Sequence, residues 1–249
     1  MSDFNRGYPP NVTAAPADMA VDAGLRAFML GVYNKVALGL ILSATLAFVT
    51  SSVPVVRDLL FRVAPDGRVG YTILGMIVAF APLAVILFTG FANRNPSPSS
   101  AGALYWTIVS LFGASMGVLV LLYTGASIAT TFLITAAAFG GLSLVGYTTK
   151  KDLTGFGSFL IMGLIGIILA SVVNIFLQSP MMYFVVNILG VLIFAGLIAY
   201  DTQRLKITYY RLGGDQSSMS VATSYGALSL YLDFINMFQF LLALFGGRR

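Results

Sequence analysis

The 249-residue chain contains no His, no Cys and, among its nine acidic residues, no Glu. Without His or Cys there is no route to a disulfide, a thiolate nucleophile, a Ser-His dyad, haem-His ligation or an ordinary structural zinc site. Charge of either sign is scarce as well. Only 9% of residues are charged and 58% are hydrophobic, with a mean hydropathy of +0.89, whereas a soluble domain carries roughly 25% charge. So little charge cannot cover an aqueous surface, and most of the chain must face lipid. The missing His also constrains pH sensing. A proton switch here has to be built on Asp, which directs attention to Asp residues inside the membrane.

What is present is a succession of long apolar runs. The opening segment, residues 1 to 25, is polar and Pro-bearing, lacks the basic-then-apolar pattern of a secretory signal, and reads as a disordered tail. Beyond it, runs near residues 30–52, 71–92, 102–122, 126–147, 155–177, 182–201 and 224–246 each approach the ~20 residues needed to cross a ~30 Å hydrocarbon core. Barrel strands are shorter and alternate in polarity, so the expected fold is all-α: a polytopic integral membrane protein of seven helices in a single domain, residues 26–249. Pro82 falls inside the second run and should kink it; Pro54, Pro96, Pro98 and Pro180 lie in connections. Gly113 and Gly117, with Gly140, Gly141, Gly163 and Gly166, read as sites of close helix approach.

Lys and Arg near the span ends set the orientation. With the amino terminus in the cytoplasm, nine (Arg6, Arg26, Lys35, Arg94, Lys150, Lys151, Arg204, Lys206, Arg211) lie inside and five (Arg57, Arg62, Arg68, Arg248, Arg249) outside. The closing Arg pair opposes the bias unless the last segment re-enters instead of crossing. These scattered topogenic residues account for the net charge of +5, so no nucleic acid partner is implied. There is no phosphate-binding loop, no Rossmann fingerprint and no evident inverted repeat.

The polar exceptions inside the apolar runs carry the functional signal. Asp233 stands well within the last run, and Ser229, Asp233 and Asn236 share one face at helical spacing. A central Asp costs about 2.5–3.5 kcal/mol to insert. That helix should therefore sit inside the bundle, surrounded by the other six. Asp201 closes the sixth run at its inner boundary, Arg94 follows the second, and Asn174 in the fifth reads as an interhelical hydrogen bonder. Two carboxylates confined in low dielectric cannot easily both ionise; they can share a proton, and an Arg competing for one of them would make a two-state latch. An inventory of carboxylates, carbonyls and waters suits a hard cation, with Asp201 and Asp233 as transient contacts.

Two segments, AYDTQRLK at Ala199 to Lys206 and SLYLDFINMFQFLLALFG at Ser229 to Gly246, together with VNIF at Val173 to Phe176, resemble the Bax inhibitor-1 family in its bacterial, YccA-like branch. The resemblance implies six helices around a central seventh and a pH-sensitive calcium leak of the bacterial inner membrane. It implies a gate near the cytosolic side at the positions of Asp201 and Asp233, with Arg94 as counterpart of the family's basic residue. No cofactor is implied beyond Ca²⁺ as the permeant ion. Some bacterial relatives are associated with the membrane-bound FtsH protease, for which the tail from Met1 to Gly24 would be the handle; that is the alternative reading. An intramembrane aspartyl protease is the one hydrolytic chemistry left open, but Asp233 follows Leu230-Tyr231-Leu232 and not Gly-x-Gly, so the chain is read as a non-enzyme.

Overall fold

A computed structural model describes residues 23–65, 68–92, 96–212 and 215–249. Seven helices in it are long and apolar enough to cross a membrane. The tail assigned to residues 1–25 lies outside the described residues as far as residue 22. Its last three residues already belong to α1 (Ala23–Ser52), which begins earlier than the hydropathy suggests because Leu25, Phe28 and Met29 are buried.

The connection after α1 is built, not merely spanned. Pro54 opens a short helix, α2 (Pro54–Leu60), where its missing N–H is no loss. A two-stranded antiparallel hairpin follows, β1 (Phe61–Val63) and β2 (Val69–Tyr71), with Phe61 opposite Tyr71. Leu60 and Phe61 bury against Val118, so the hairpin is anchored to the bundle. α3 (Ile73–Ala92) contains Pro82. The third span is two helices, α4 (Pro98–Ser115) and α5 (Gly117–Leu122), interrupted at Met116. Ser97 caps α4 by accepting from the Ser100 N–H, with Pro98 as first helical residue.

α6 (Gly125–Thr148) follows a tight turn in which Thr124 caps its first turn through the Ser127 N–H. α7 (Thr154–Leu177) ends in a turn with Gln178 left-handed at φ 50°. Asn174, expected to bond across helices, instead accepts the Ser179 N–H through Oδ1 at 2.9 Å and shapes that turn. α8 (Pro180–Leu212) runs 33 residues, and α9 (Gln216–Phe245) 30. Asp215 caps α9 through the Ser218 N–H at 2.8 Å; the Ser218 side chain and that N–H together hold its carboxyl below the ordinary Asp range.

α9 occupies the centre. It packs on α1, α4, α6 and α8, while α3 packs chiefly on α4 and α7 on α8. The surround therefore has two tiers: four helices line α9 directly and two stand outside them. Burial follows the same order, with 56% of the most apolar stretch of α9 buried against 11% for both α3 and α7. The rest of α3 and α7 is lipid-facing Ile, Leu, Val and Phe.

The last helix runs from one end of the bundle to the other. Beyond Gly246 the chain pairs Arg248 with Tyr123 in an antiparallel bridge, and the Arg249 N–H donates to the Leu122 carbonyl. Tyr123 lies in the turn between the third and fourth spans, at the opposite end of the bundle from the α8–α9 connection, so the re-entrant alternative is excluded.

The glycines divide by what they face. Gly113 brings α4 onto the Ser43 backbone of α1, and a Cβ there would collide with it. Gly163 faces Ile193, but Gly140, Gly141 and Gly166 look onto open space. They are not packing sites, because their helix faces are turned to lipid.

Candidate functional site

The site lies where α8 and α9 run side by side, and two features of α8 position it. Gly146 of α6 sits directly on the Ala199 backbone, where any side chain would strike the Ala199 carbonyl. This close approach fixes α8 two residues before Asp201. The second feature is length: α8 does not stop at residue 201 but continues through Leu212. Asp201 is thus a buried mid-helix residue, 5% exposed, and not a boundary residue.

The polar residues that make position 201 look like a helix end have specific partners. Gln203 Nε2 donates to the Lys151 carbonyl at 2.7 Å and its Oε1 accepts the Leu153 N–H at 2.8 Å, clasping the α6–α7 loop. Lys206 Nζ donates to the Tyr147 carbonyl at 2.7 Å. One stretch of α8 therefore holds the loop with one face and presents its carboxylate to α9 with another.

On α9, Ser229 and Asp233 stand one turn apart facing Asp201. The Ser229 hydroxyl donates to Asp201 Oδ2. Arg204, one turn beyond Asp201 on the same helix, pairs with Asp201 Oδ1 at 3.3 Å and reaches Ser229 Oγ at 3.3 Å. Its guanidinium also lies 5.7 Å from the centre of the Tyr200 ring. Both Asp201 oxygens are thereby engaged.

Asp233 is 6% exposed, and its Oδ2 has no hydrogen-bond partner among the described residues. The charged groups that share its cavity are the Asp201 carboxylate and the Arg204 guanidinium. Asn236 completes the face, its Nδ2 donating to the Leu232 carbonyl at 2.7 Å. All of these residues line a cavity of about 530 Å³ between α7, α8 and α9, whose far wall is apolar apart from Ser171: Ile161, Leu164, Ile168, Val172 and Ile175 of α7.

The structure thus brings Asp201, Asp233, Ser229 and Asn236 together. Arg94 lies outside the described residues. The cation beside the carboxylates is Arg204, which the sequence reading had counted only as topogenic. Its signal was present as an i, i+3 Asp-Arg pair, but that spacing has meaning only if the helix continues past Asp201. Among the described residues no group of three or more His, Cys, Asp or Glu could hold a metal ion.

The opposite side of α9 is closed. Tyr231 is fully buried and its hydroxyl lies 2.7 Å from Ser43 Oγ, which itself donates to the Val109 carbonyl at 3.0 Å. Its ring meets those of Tyr105 and Phe112 edge-on at 6.3 Å. The Tyr105 hydroxyl donates to the Lys35 carbonyl at 2.6 Å, and Lys35 Nζ to Ser224 Oγ at 2.7 Å.

The family model of inhibitors of apoptosis-promoting Bax1 matches residues 25–249. The chain belongs to the Bax inhibitor-1 family. An uncharacterized protein of Caulobacter vibrioides is 69% identical over the whole of both chains. The uncharacterized protein RP147 of Rickettsia prowazekii is 43% identical, covering 97% of this chain and 98% of its own length. The inner membrane protein YbhL of Escherichia coli is 42% identical over 228 residues, 91% of this chain and 94% of YbhL. Membership and the seven apolar helices make this family member an integral membrane protein.

Proposed function

We propose that the protein is a passive, pH-sensitive calcium leak of the bacterial inner membrane, gated by Asp201 and Asp233, with its amino terminus in the cytoplasm. The observation that carries this reading is the unequal satisfaction of two adjacent buried carboxyls. Asp201 is held by Arg204 and Ser229, while Asp233 keeps one buried oxygen without a partner among the described residues. A proton shared between the two carboxyls supplies the missing hydrogen bond and draws α8 and α9 together. Its loss leaves two like charges confined in an apolar cavity, and Arg204 can compensate only the one it already holds. Packed helices respond to such repulsion by shifting between discrete arrangements.

Calcium is the passenger in this reading. Two carboxylates, a hydroxyl and an amide fall short of the six to eight oxygens Ca²⁺ takes, so an ion here keeps water and moves on. The orientation rests on the cationic residues. Arg26, Lys150, Lys151, Arg204, Lys206 and Arg211 lie toward the end of the bundle where α1 begins, against Arg57, Arg62, Arg68, Arg248 and Arg249 at the other.

The test is Ca²⁺ flux into dye-loaded liposomes containing the purified protein, measured from pH 5 to 8. Wild type is expected to change its flux across this range, and Asp201→Asn and Asp233→Asn to flatten the profile. Arg204→Gln is expected to displace it along the pH axis. Unaltered flux and pH dependence in both Asn variants would sink the gate.

A further inference from the structure

A second cavity, of about 570 Å³, lies between α1 and α6 at the end of the bundle where α1 begins. Its walls are apolar and face the bilayer: Leu30 is 51% and Leu144 62% exposed. Tyr33 and Phe139 meet edge-on across it at 6.3 Å. Besides the Tyr33 and Tyr147 hydroxyls, a serine and an arginine interrupt this lining. Ser143 is 95% buried, yet its hydroxyl has no hydrogen-bond partner among the described residues. Arg26 is exposed, and among the described residues it makes no ion pair or hydrogen bond there.

The two are graded along the membrane normal. Arg26 lies one turn into α1, and Tyr33 about 10 Å deeper at 1.5 Å per residue. Ser143 stands within about two turns of the α6 terminus, and Phe139 a further turn inward. Among the described residues no carboxylate lines the groove. Lys150 and Lys151 follow the end of α6 directly, and Asp152 beyond them is committed to the Thr154 N–H at 2.8 Å. Lys206 Nζ sits behind the groove, 5.7 Å from the centre of the Tyr147 ring.

We infer that this groove binds an anionic phospholipid of the adjoining leaflet. Its phosphate sits at Arg26, a headgroup or ester oxygen accepts the Ser143 hydroxyl proton, and an acyl chain lies along Leu30, Phe139 and Leu144. The match is one of shape and charge: cations at interfacial depth, a buried hydroxyl donor below them, and an aliphatic slot leading inward. A wholly apolar occupant would leave both Arg26 and Ser143 unserved. A soluble phosphate compound would not use the slot. A basic side chain near an anionic headgroup contributes about fivefold in affinity.

Gly140 provides a clean probe, because it lines the groove while a Cβ there meets nothing within 4 Å, as is also true of Gly141, which does not line it. The full chain in detergent micelles is titrated with dioleoylphosphatidylglycerol or dioleoylphosphatidylcholine, and bound lipid is counted by native mass spectrometry. Wild type should retain phosphatidylglycerol about fivefold better than phosphatidylcholine. Arg26→Gln should erase that preference, Gly140→Leu should lower retention of both lipids, and Gly141→Leu should behave as wild type. A preference surviving Arg26→Gln, or equal losses from Gly140→Leu and Gly141→Leu, overturns the assignment. Inorganic phosphate competing away the lipid at millimolar concentration would also overturn it, since the slot would then contribute nothing.

Discussion

The two sides of α9 are made of similar residues and finished differently. Toward α1 and α4, Tyr231 is enclosed by rings, its hydroxyl is paired with Ser43, and Ser43 is paired in turn with Val109. Toward α7, Ser229, Asp233 and Asn236 look into a cavity, and a carboxyl oxygen has no partner among the described residues. A buried polar group that is fully bonded rigidifies a core, while one that is partly bonded is expensive to keep. The closed side is what a bundle needs to stand. The open side carries a cost that stability alone does not explain, and this contrast is the reason to place function there.

Tyr231→Ala tests the closed side most severely. Removing a fully buried ring should destabilise the protein by about 3–5 kcal/mol, read as loss of the folded fraction in detergent denaturation. Asp233→Leu tests the open side and should move stability the other way. Replacing a poorly satisfied buried polar group by an apolar one of similar size is expected to be neutral or stabilising by about 1–2 kcal/mol, while flux loses its pH dependence. A large destabilisation would erase the contrast. Tyr231→Phe keeps the ring and removes one hydrogen bond, for an expected loss of about 1 kcal/mol; a loss as large as that of Tyr231→Ala would mean that the hydroxyl, and not the ring, organises that side.

The smallest effect is expected at the α9 cap. The Ser218 side chain and N–H hold the Asp215 carboxyl below its ordinary pKa. Its stabilisation is therefore fully present above the unfolded-state pKa and is lost as pH falls through the lower folded-state value. Wild type should melt slightly above Asp215→Ala at pH 7, and the difference should close as the medium is acidified below pH 4. A difference that grows on acidification would contradict the cap.

The class of fold was legible because hydropathy reports solvent, and lipid is a solvent. The number of apolar runs equals the number of helices long and apolar enough to span among the described residues, and the placement of the last one at the centre follows from the cost of Asp233. Where expectation and structure part, the cause is a tertiary partner. Residues 202–212 look like a helix exit because they are polar, but Gln203 and Lys206 spend that polarity on the α6–α7 loop and the end of α6. That hid Arg204 as the partner of Asp201. The hairpin at residues 61–71 depends on Val118, more than forty residues away along the chain, and no local pattern announces such a contact. Gly140 and Gly141 have the same composition as Gly146 but the opposite surroundings, which spacing cannot report.

The central position of α9 also bears on how the molecule comes into being. A ribosome delivers α1 through α8 before α9, so the helices that line the centre enter the membrane ahead of the one that fills it. Until α9 arrives, Ser43 lacks Tyr231, Lys35 lacks Ser224 and Asp201 lacks Ser229. The nascent bundle is a ring holding a place for its own axle, and chains that stall before residue 216 would present that polar interior to membrane quality control.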